Sequence, residues 1–247
     1  MIVIPMAGLS SRFRQAGYTR PKYMLQAHGQ SIFGHAVSSF SEYFGNIPFL
    51  FILRDIDNTR TFVEDECARL GIVDPKIIAL EQPTAGQAET VALGLIRSGV
   101  PPNTPITIFN IDTFRPGFRF PFEFHLITSD GYLEVFKGEG TNWSYVLPAI
   151  SGQNRVAKTA EKCPISDLCC TGLYHFHRAE LYLDTYKTFV KIASTQMRLT
   201  ELYIAPMYNL LISQGLDIRY HVIDRNDVIF CGTPDEYEAF VRESDRA

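Results

Sequence analysis

The sequence predicts an α/β fold, a mixed and mainly parallel central sheet with helices on both faces. Two observations carry this. Short runs such as Ile2-Val3-Ile4 and Phe49-Leu50-Phe51-Ile52-Leu53 are apolar at every position. A strand exposed on one face would alternate, so these runs read as strands covered on both sides. Between them apolar residues recur at helical spacing, so strand and helix alternate as far as Asp112, the pattern of a parallel, doubly wound sheet.

Each element has its own reason. Ser31 to Phe44 carries Ile32, Phe33, Ala36, Val37 and Phe40 on one helical face, with Ser31 as N-cap. Asp57 to Leu70 predicts a charged amphipathic helix closed by Gly71. Ile77 to Leu80 is a third strand, and Thr84 to Ala88 leads into a helix over Glu89 to Arg97. Ile106 to Ile111 is a fourth strand ending at Asp112. From Tyr132 the pattern changes to strand-like runs, YLEVF, SYVLPA, VAKTAEK and GLYHFH. Helices return over Arg178 to Ile192 and around Thr200 to Ser213, followed by strands IRYHVI and DVIF. Thr233, Pro234 and Glu236 then stand as N-cap, N1 and N3 of a final helix, a capping box. No internal repeat or low-complexity linker divides the chain, so residues 1–247 read as one Rossmann-like domain. No hexapeptide repeat announces an appended acyltransferase.

Composition narrows the function. The chain has 247 residues, 46% of them hydrophobic, enough for a substantial core. A net charge of −4 with no long basic run argues against nucleic-acid binding. No apolar stretch spans a bilayer, and no basic leader precedes the first strand, so the expectation is a cytoplasmic protein without membrane insertion. The five cysteines, Cys67, Cys163, Cys169, Cys170 and Cys231, are odd in number and lack Cys-x-x-Cys spacing. Reduced, mostly buried thiols are expected. His175 and His177 share a strand face, but no neighbouring Cys, Asp or Glu completes a ligand set, so they read as packing or hydrogen-bonding residues.

The most informative stretch is Ile2 to Lys22. The first strand breaks at Pro5 into Ala7-Gly8-Leu9-Ser10-Ser11-Arg12, and Lys22 follows Pro21. Small residues at the C-terminal end of a parallel strand let backbone N–H groups approach a ligand, and open α/β sheets bind nucleotides there. Arg12 and Lys22 suit phosphates, one as a fork and the other as a point charge. The loop is neither G-x-G-x-x-G nor a Walker loop.

Further stretches follow in a definite order. Glu81-Gln82-Pro83-Thr84-Ala85-Gly86-Gln87-Ala88 offers glutamine amides, whose donors and acceptor match a base edge. Asn110-Ile111-Asp112 puts a carboxylate at the tip of the fourth strand. Ala160-Glu161-Lys162-Cys163-Pro164 and Thr171-Gly172-Leu173-Tyr174 come later. Strand, Ala-Gly, Ser-Ser-Arg and Arg-Pro-Lys, followed by these pieces, resemble the sugar-1-phosphate nucleotidyltransferases, also called nucleotidyl-sugar pyrophosphorylases. The resemblance runs from residue 1 to about residue 240.

The resemblance implies the nucleotide-diphospho-sugar transferase fold and the transfer of a nucleotide from a nucleoside triphosphate to a sugar phosphate or similar acceptor, with release of pyrophosphate. It implies a mainly nucleotide-binding half over 1–115 and a mainly acceptor-binding half over 116–247. The nucleotide would meet Ala7, Gly8, Leu9, Ser10, Ser11, Gln82, Thr84, Ala85, Gly86 and Gln87. Arg12 would hold the β,γ-phosphates and Lys22 the α-phosphate. The acceptor would meet Asn110, Glu161, Lys162 and Gly172, with Lys162 on its phosphate. Asp112 would hold Mg²⁺, which accepts one or two carboxylates plus phosphate oxygens. One residue, Cys163, is inserted in the family's Glu-Lys-Pro element.

Trp143-Ser144-Tyr145 and Pro164-Ile165-Ser166-Asp167 resemble the branch that makes capsule and surface-polysaccharide building blocks, which favours CTP, then UTP or dTTP. Two other readings compete. A glycosyltransferase using a nucleotide sugar normally carries Asp-x-Asp where this chain has Asn110-Ile111-Asp112. A non-catalytic nucleotide-sugar sensor would have no need of a pyrophosphate clamp. Homo-oligomerisation is left open. The family's second metal-binding Asp, aligned on Gly232-Thr233, falls at Phe230, with Asp227 the nearest substitute. On a regular strand Asp227 would face away from the site and would need a bulge to reach it.

Overall fold

Strand β1 (Ile2–Pro5) lies at the centre because every one of its side chains is buried, with Ile2 and Ile4 on one face and Val3 on the other. It pairs in parallel with β4 (Phe49–Leu53) and β6 (Ile106–Phe109), and β4 pairs in parallel with β5 (Lys76–Ala79). In the computed structural model, which describes residues 1–121, 129–150, 152–194 and 201–243, these strands belong to a nine-stranded sheet.

The other half of the sheet is mixed. Strand β11 (Leu168–Phe176) runs antiparallel beside β6 and β9 (Ser144–Pro148), which follow one another along one edge of it, and beside β8 (Gly131–Lys137) on its other edge. Strand β10 (Val156–Glu161) pairs antiparallel with β9, and β12 (Ile218–Ile223) pairs in parallel with β8. Seven of the nine strands therefore run one way, against β10 and β11. Two small antiparallel ladders lie outside, β2 (Gln26–Ala27) with β3 (Gln30–Ser31), a hairpin, and β7 (Thr113–Phe114) with β13 (Ile229–Phe230), distant in sequence.

Helices cover both faces. On one, α4 (Gln87–Ser98), α5 (Ala179–Ile192) and α6 (Tyr208–Ser213) put Val91, Leu95, Tyr182, Phe189, Tyr208 and Leu211 into one buried cluster with Val3, Leu50 and Ile52 of the sheet. On the other, α2 (Ile32–Ser38) and α3 (Thr59–Leu70) put Phe33, Val37, Val63 and Cys67 against Ile4, Phe49 and Phe51. Each such side chain contributes roughly 1.5–3 kcal/mol by leaving water. Among the described residues the remaining α-helices are the short α1 (Ser11–Gln15) and α7 (Pro234–Glu243). No helix among the described residues is long and apolar enough to cross a membrane.

Several expected elements change length. The helix expected over Ser31 to Phe44 stops at Ser38, where the Ser39 and Phe40 N–H groups bond the Ala36 and Val37 carbonyls, three residues back, at 3.3 and 3.0 Å; a separate turn follows at Ser41–Tyr43. The helix expected from Asp57 starts at Thr59, since both Asp57 and Asn58 take left-handed φ. The helix expected around Thr200 to Ser213 is a turn at Ala205–Met207 and then α6, with Thr200 outside the described residues. The DVIF strand shrinks to Ile229–Phe230, and Asp227 belongs to a 3-10 turn, Arg225–Asp227, capped by the Asp224 side chain. The parity argument for Asp227 on a regular strand therefore does not apply.

The capping box is present. Thr233 N–H donates to Glu236 Oε2 at 2.9 Å, and Glu236 N–H donates to Thr233 Oγ1 at 3.3 Å. Cys67, Cys169, Cys170 and Cys231 are buried free thiols and Cys163 is exposed. His175 Nδ1 shares a hydrogen bond of 2.9 Å with Thr107, and its ring stacks on Tyr132.

Candidate active site

The parallel strands β1, β4, β5 and β6 end along one edge, and their C-terminal loops carry residues 6–12, 54–58, 80–87 and 110–112. The loop after β1 turns at Ser10, whose φ of 51° lies in the left-handed region. Gly8, Leu9, Ser11 and Arg12 are exposed, Ser10 is half-buried and Ala7 is buried beneath them.

Ser10 also fixes the second cation. Its hydroxyl accepts the Lys22 N–H at 3.2 Å, which brings residue 22 back over the loop. Lys22 Nζ then donates to Asp112 Oδ2 at 2.5 Å, with the two side chains only 22% and 19% exposed. The cation of the first loop and the carboxylate at the β6 tip thus meet, 90 residues apart in sequence.

The turn after β5 is held by its own side chains. Thr84 Oγ1 bonds Thr90 Oγ1 at 2.7 Å, and Glu89 Oε2 accepts the Ala85 N–H at 2.5 Å. Gln82 is exposed. Gln87 Nε2 donates to Asn110 Oδ1 at 2.6 Å, and Asn110 N–H donates to the Gly172 carbonyl at 3.2 Å. Gly172 has φ 97°, and a Cβ there would stand 2.4 Å from Asn110 Nδ2. Only glycine lets β11 approach the β6 tip this closely.

Lys162 enters from the other half. It follows β10 with φ 53°, its N–H bound to the Trp143 carbonyl at 2.9 Å. A left-handed residue at the strand end is how the chain turns into the inserted Cys163. Lys162 Nζ donates to the Tyr203 hydroxyl at 2.5 Å. Glu161 accepts from the Ser144 hydroxyl, and burial pushes its carboxyl above the ordinary glutamate range despite that donor.

Around Asp112 the last segment of the chain closes in. Cys231 N–H donates to the Asp112 carbonyl at 2.8 Å, and a Cβ on Gly232 would lie 3.0 Å from Asp112 Oδ2. Phe230 turns away onto Trp143, ring centroids 4.6 Å apart, with the Arg225 guanidinium 5.1 Å from its ring. This contact joins the 139–144 loop to the segment beside Asp112.

Similarity to a solved structure decides the family. The nucleoside-diphosphate-sugar pyrophosphorylase from Vibrio cholerae RC9 is 56% identical, over 98% of this chain and 100% of that one, with a TM-score of 0.93. The chain belongs to the nucleoside-diphosphate-sugar pyrophosphorylase family. Remoter pyrophosphorylase-like structures share the fold. The inositol-1-phosphate CTP transferase from T. maritima has a TM-score of 0.72 at 13% identity, covering 97% of this chain and 92% of that one. A UTP-bound UGPase from Acinetobacter baumannii has a TM-score of 0.68 at 15% identity, covering 98% and 92%. No protein-family model and no curated protein sequence matches the chain.

In this pyrophosphorylase-family chain, the structure brings Lys22, Asp112, Asn110, Gln87 and Gly172 into one connected group, while Arg12 and Gln82 stand exposed at its rim. Sequence reasoning missed Tyr203, Leu202 and the Trp143–Phe230 stack as part of this region. They come from distant stretches with no motif of their own. The donor set at Asp112 has a definite character. No group of three or more His, Cys, Asp or Glu side chains converges among the described residues. Phe230 is committed to Trp143, and the Asp227 carbonyl is taken by Arg115 Nη1 at 2.7 Å. One carboxylate fits a magnesium ion that brings phosphate oxygens and keeps several waters, and makes no cage for a bare ion.

Proposed function

We propose that the chain joins a nucleoside triphosphate to a sugar phosphate or similar phosphorylated acceptor and releases pyrophosphate, in the cytoplasm, for capsule or surface-polysaccharide synthesis. The observation that carries this is the Lys22–Asp112 pair at the sheet edge, beside the small-residue loop. CTP is the expected nucleotide, ahead of UTP and dTTP. That order rests on the resemblance of 143–145 and 164–167 to the capsule-linked branch. The Gln82 amide itself accepts either pyrimidine.

The chemistry follows from charge. An oxygen of the acceptor phosphate attacks the α-phosphorus, the bond from that phosphorus to the β-phosphate bridging oxygen breaks, and pyrophosphate leaves opposite. The nucleophile is already an anion, so no general base is required. Two polyanions repel one another, so the protein must hold them in line and neutralise the charge that builds up. In this reading the 7–11 loop holds the triphosphate and Arg12 its β,γ end. Lys22 exchanges the Asp112 carboxylate for the α-phosphate. Lys162 holds the acceptor phosphate, while Glu161, Asn110 and the backbone at Gly172 meet the rest of the acceptor. Mg²⁺, held by Asp112 and the triphosphate, would neutralise phosphate charge.

The test is a pyrophosphate-release assay with four nucleoside triphosphates against a panel of sugar 1-phosphates and phosphorylated alcohols. Acceptor-dependent release with a pyrimidine nucleotide is expected. Preference for ATP or GTP overturns the base assignment, and no release with any pair overturns the reaction.

A further inference from the structure

The segment Glu201-Leu202-Tyr203 touches both ends of the candidate site. Leu202 N–H donates to the Ala85 carbonyl at 2.7 Å, and the Leu202 carbonyl accepts from Ala88 N–H at 2.9 Å. The backbone of residue 202 is therefore bound to both sides of the turn that the nucleotide would meet. Gly86, at the middle of that turn, has φ 147°, and a Cβ there would lie 2.5 Å from the Leu202 carbonyl oxygen. The next residue reaches the opposite end. Tyr203 accepts from Lys162 Nζ at 2.5 Å, donates to the Glu201 carboxylate, and lays its ring 4.6 Å from the Lys162 ammonium.

Lys162 needs such a partner. Its side chain is long, exposed and mounted on a left-handed residue at a strand end. A free lysine there would sample many rotamers, and ordering it on a ligand would cost entropy. The hydroxyl and the ring face together hold it against Tyr203.

We propose that Tyr203 is a positioning residue that holds Lys162 ready for the acceptor phosphate and is itself anchored, through Leu202, on the 85–88 turn. This rests on the reading of Lys162 as the acceptor-phosphate residue. The Tyr203 hydroxyl is also the largest influence holding the Lys162 ammonium above the ordinary lysine range, against burial.

The experiment reads Lys162 directly. Trace acetylation of the full chain with acetic anhydride is quantified per lysine by peptide mass spectrometry. Inorganic phosphate serves as the probe and Lys187 as the internal reference. In the wild type, phosphate is expected to protect Lys162. In Tyr203→Phe, which keeps the ring and removes the hydroxyl, the half-protecting phosphate concentration is expected to rise roughly fivefold, with an unchanged thermal midpoint. In Gly86→Ala, which pushes on Leu202, protection at Lys162 is expected to weaken although neither Lys162 nor Tyr203 has changed. Wild-type protection in Tyr203→Phe overturns the positioning role alone. Undiminished protection in a folded Gly86→Ala overturns the anchoring. No protection of Lys162 in the wild type overturns the acceptor reading together with this inference.

Discussion

At the scale of single residues, the proposed function divides the work between Lys22 and Lys162. Lys22 is built into a compact group: its amide is on Ser10, its ammonium is on Asp112, and little of either partner of that ion pair is exposed. Replacing it by alanine is expected to lower turnover on the order of 10²-fold, because a charge-assisted contact made in the transition state is lost. Stability should change far less, since a partly exposed ion pair contributes little. Steady-state kinetics at saturating substrates beside thermal unfolding checks this; near-normal turnover would make Lys22 a surface residue. Lys162→Ala is expected to weaken acceptor binding while nucleotide affinity holds, and calorimetry with each substrate alone separates the two. The ion pair also bears on the metal. A cation reaching Asp112 must displace Lys22, so free Mn²⁺ should bind weakly without nucleotide. Asp112→Asn should raise the Mg²⁺ requirement and Asp227→Asn should not; an equal rise in both would bring Asp227 into the site.

These residues were legible because their chemistry is local in sequence. Ser10, Arg12 and Lys22 lie within one short stretch, and Asp112 ends an obvious strand. Tyr203 was not legible. Its role depends on β10 ending beside the 201–204 segment, which no local pattern announces. Phe230 was legible only as a missing carboxylate. That it serves as a partner for Trp143 needed the fold.

At the scale of elements, the four parallel strands followed from their unbroken apolar runs, and the last helix from its capping box. Helix and strand ends failed where a tertiary partner intervened. Just past α2 the Ser39 hydroxyl accepts the Arg115 N–H, and Arg225–Asp227 turns where a strand was expected, with the Asp227 carbonyl bound by Arg115. Arg115 itself is buried and ion-paired with Glu134 at 2.8 Å, a network invisible to periodicity. Strand β11 offers the sharpest test at this scale. Gly172→Ala drives a Cβ into Asn110 and strains a left-handed backbone, so a loss of about 1–3 kcal/mol is expected. The Gln87–Asn110 link should go with it. Urea unfolding measures the first effect and calorimetry with nucleotide the second; an unchanged variant would mean that β11 and the β6 tip tolerate separation.

At the scale of the whole molecule, one sheet carries both sets of residues that the proposed function uses. Its parallel half brings Lys22 and Asp112 together, and its mixed half carries Lys162 at the end of β10. The central claim is that two phosphate anions are held in one site and that the acceptor oxygen attacks the α-phosphorus directly. It is tested most directly by ³¹P NMR of the reaction run with an acceptor whose phosphate oxygens are all ¹⁸O. The account expects the product diphosphate to retain all of that label, one atom of it in the bridge, and the released pyrophosphate to carry none. Label in the pyrophosphate, or its loss from the acceptor-derived phosphate, would contradict it.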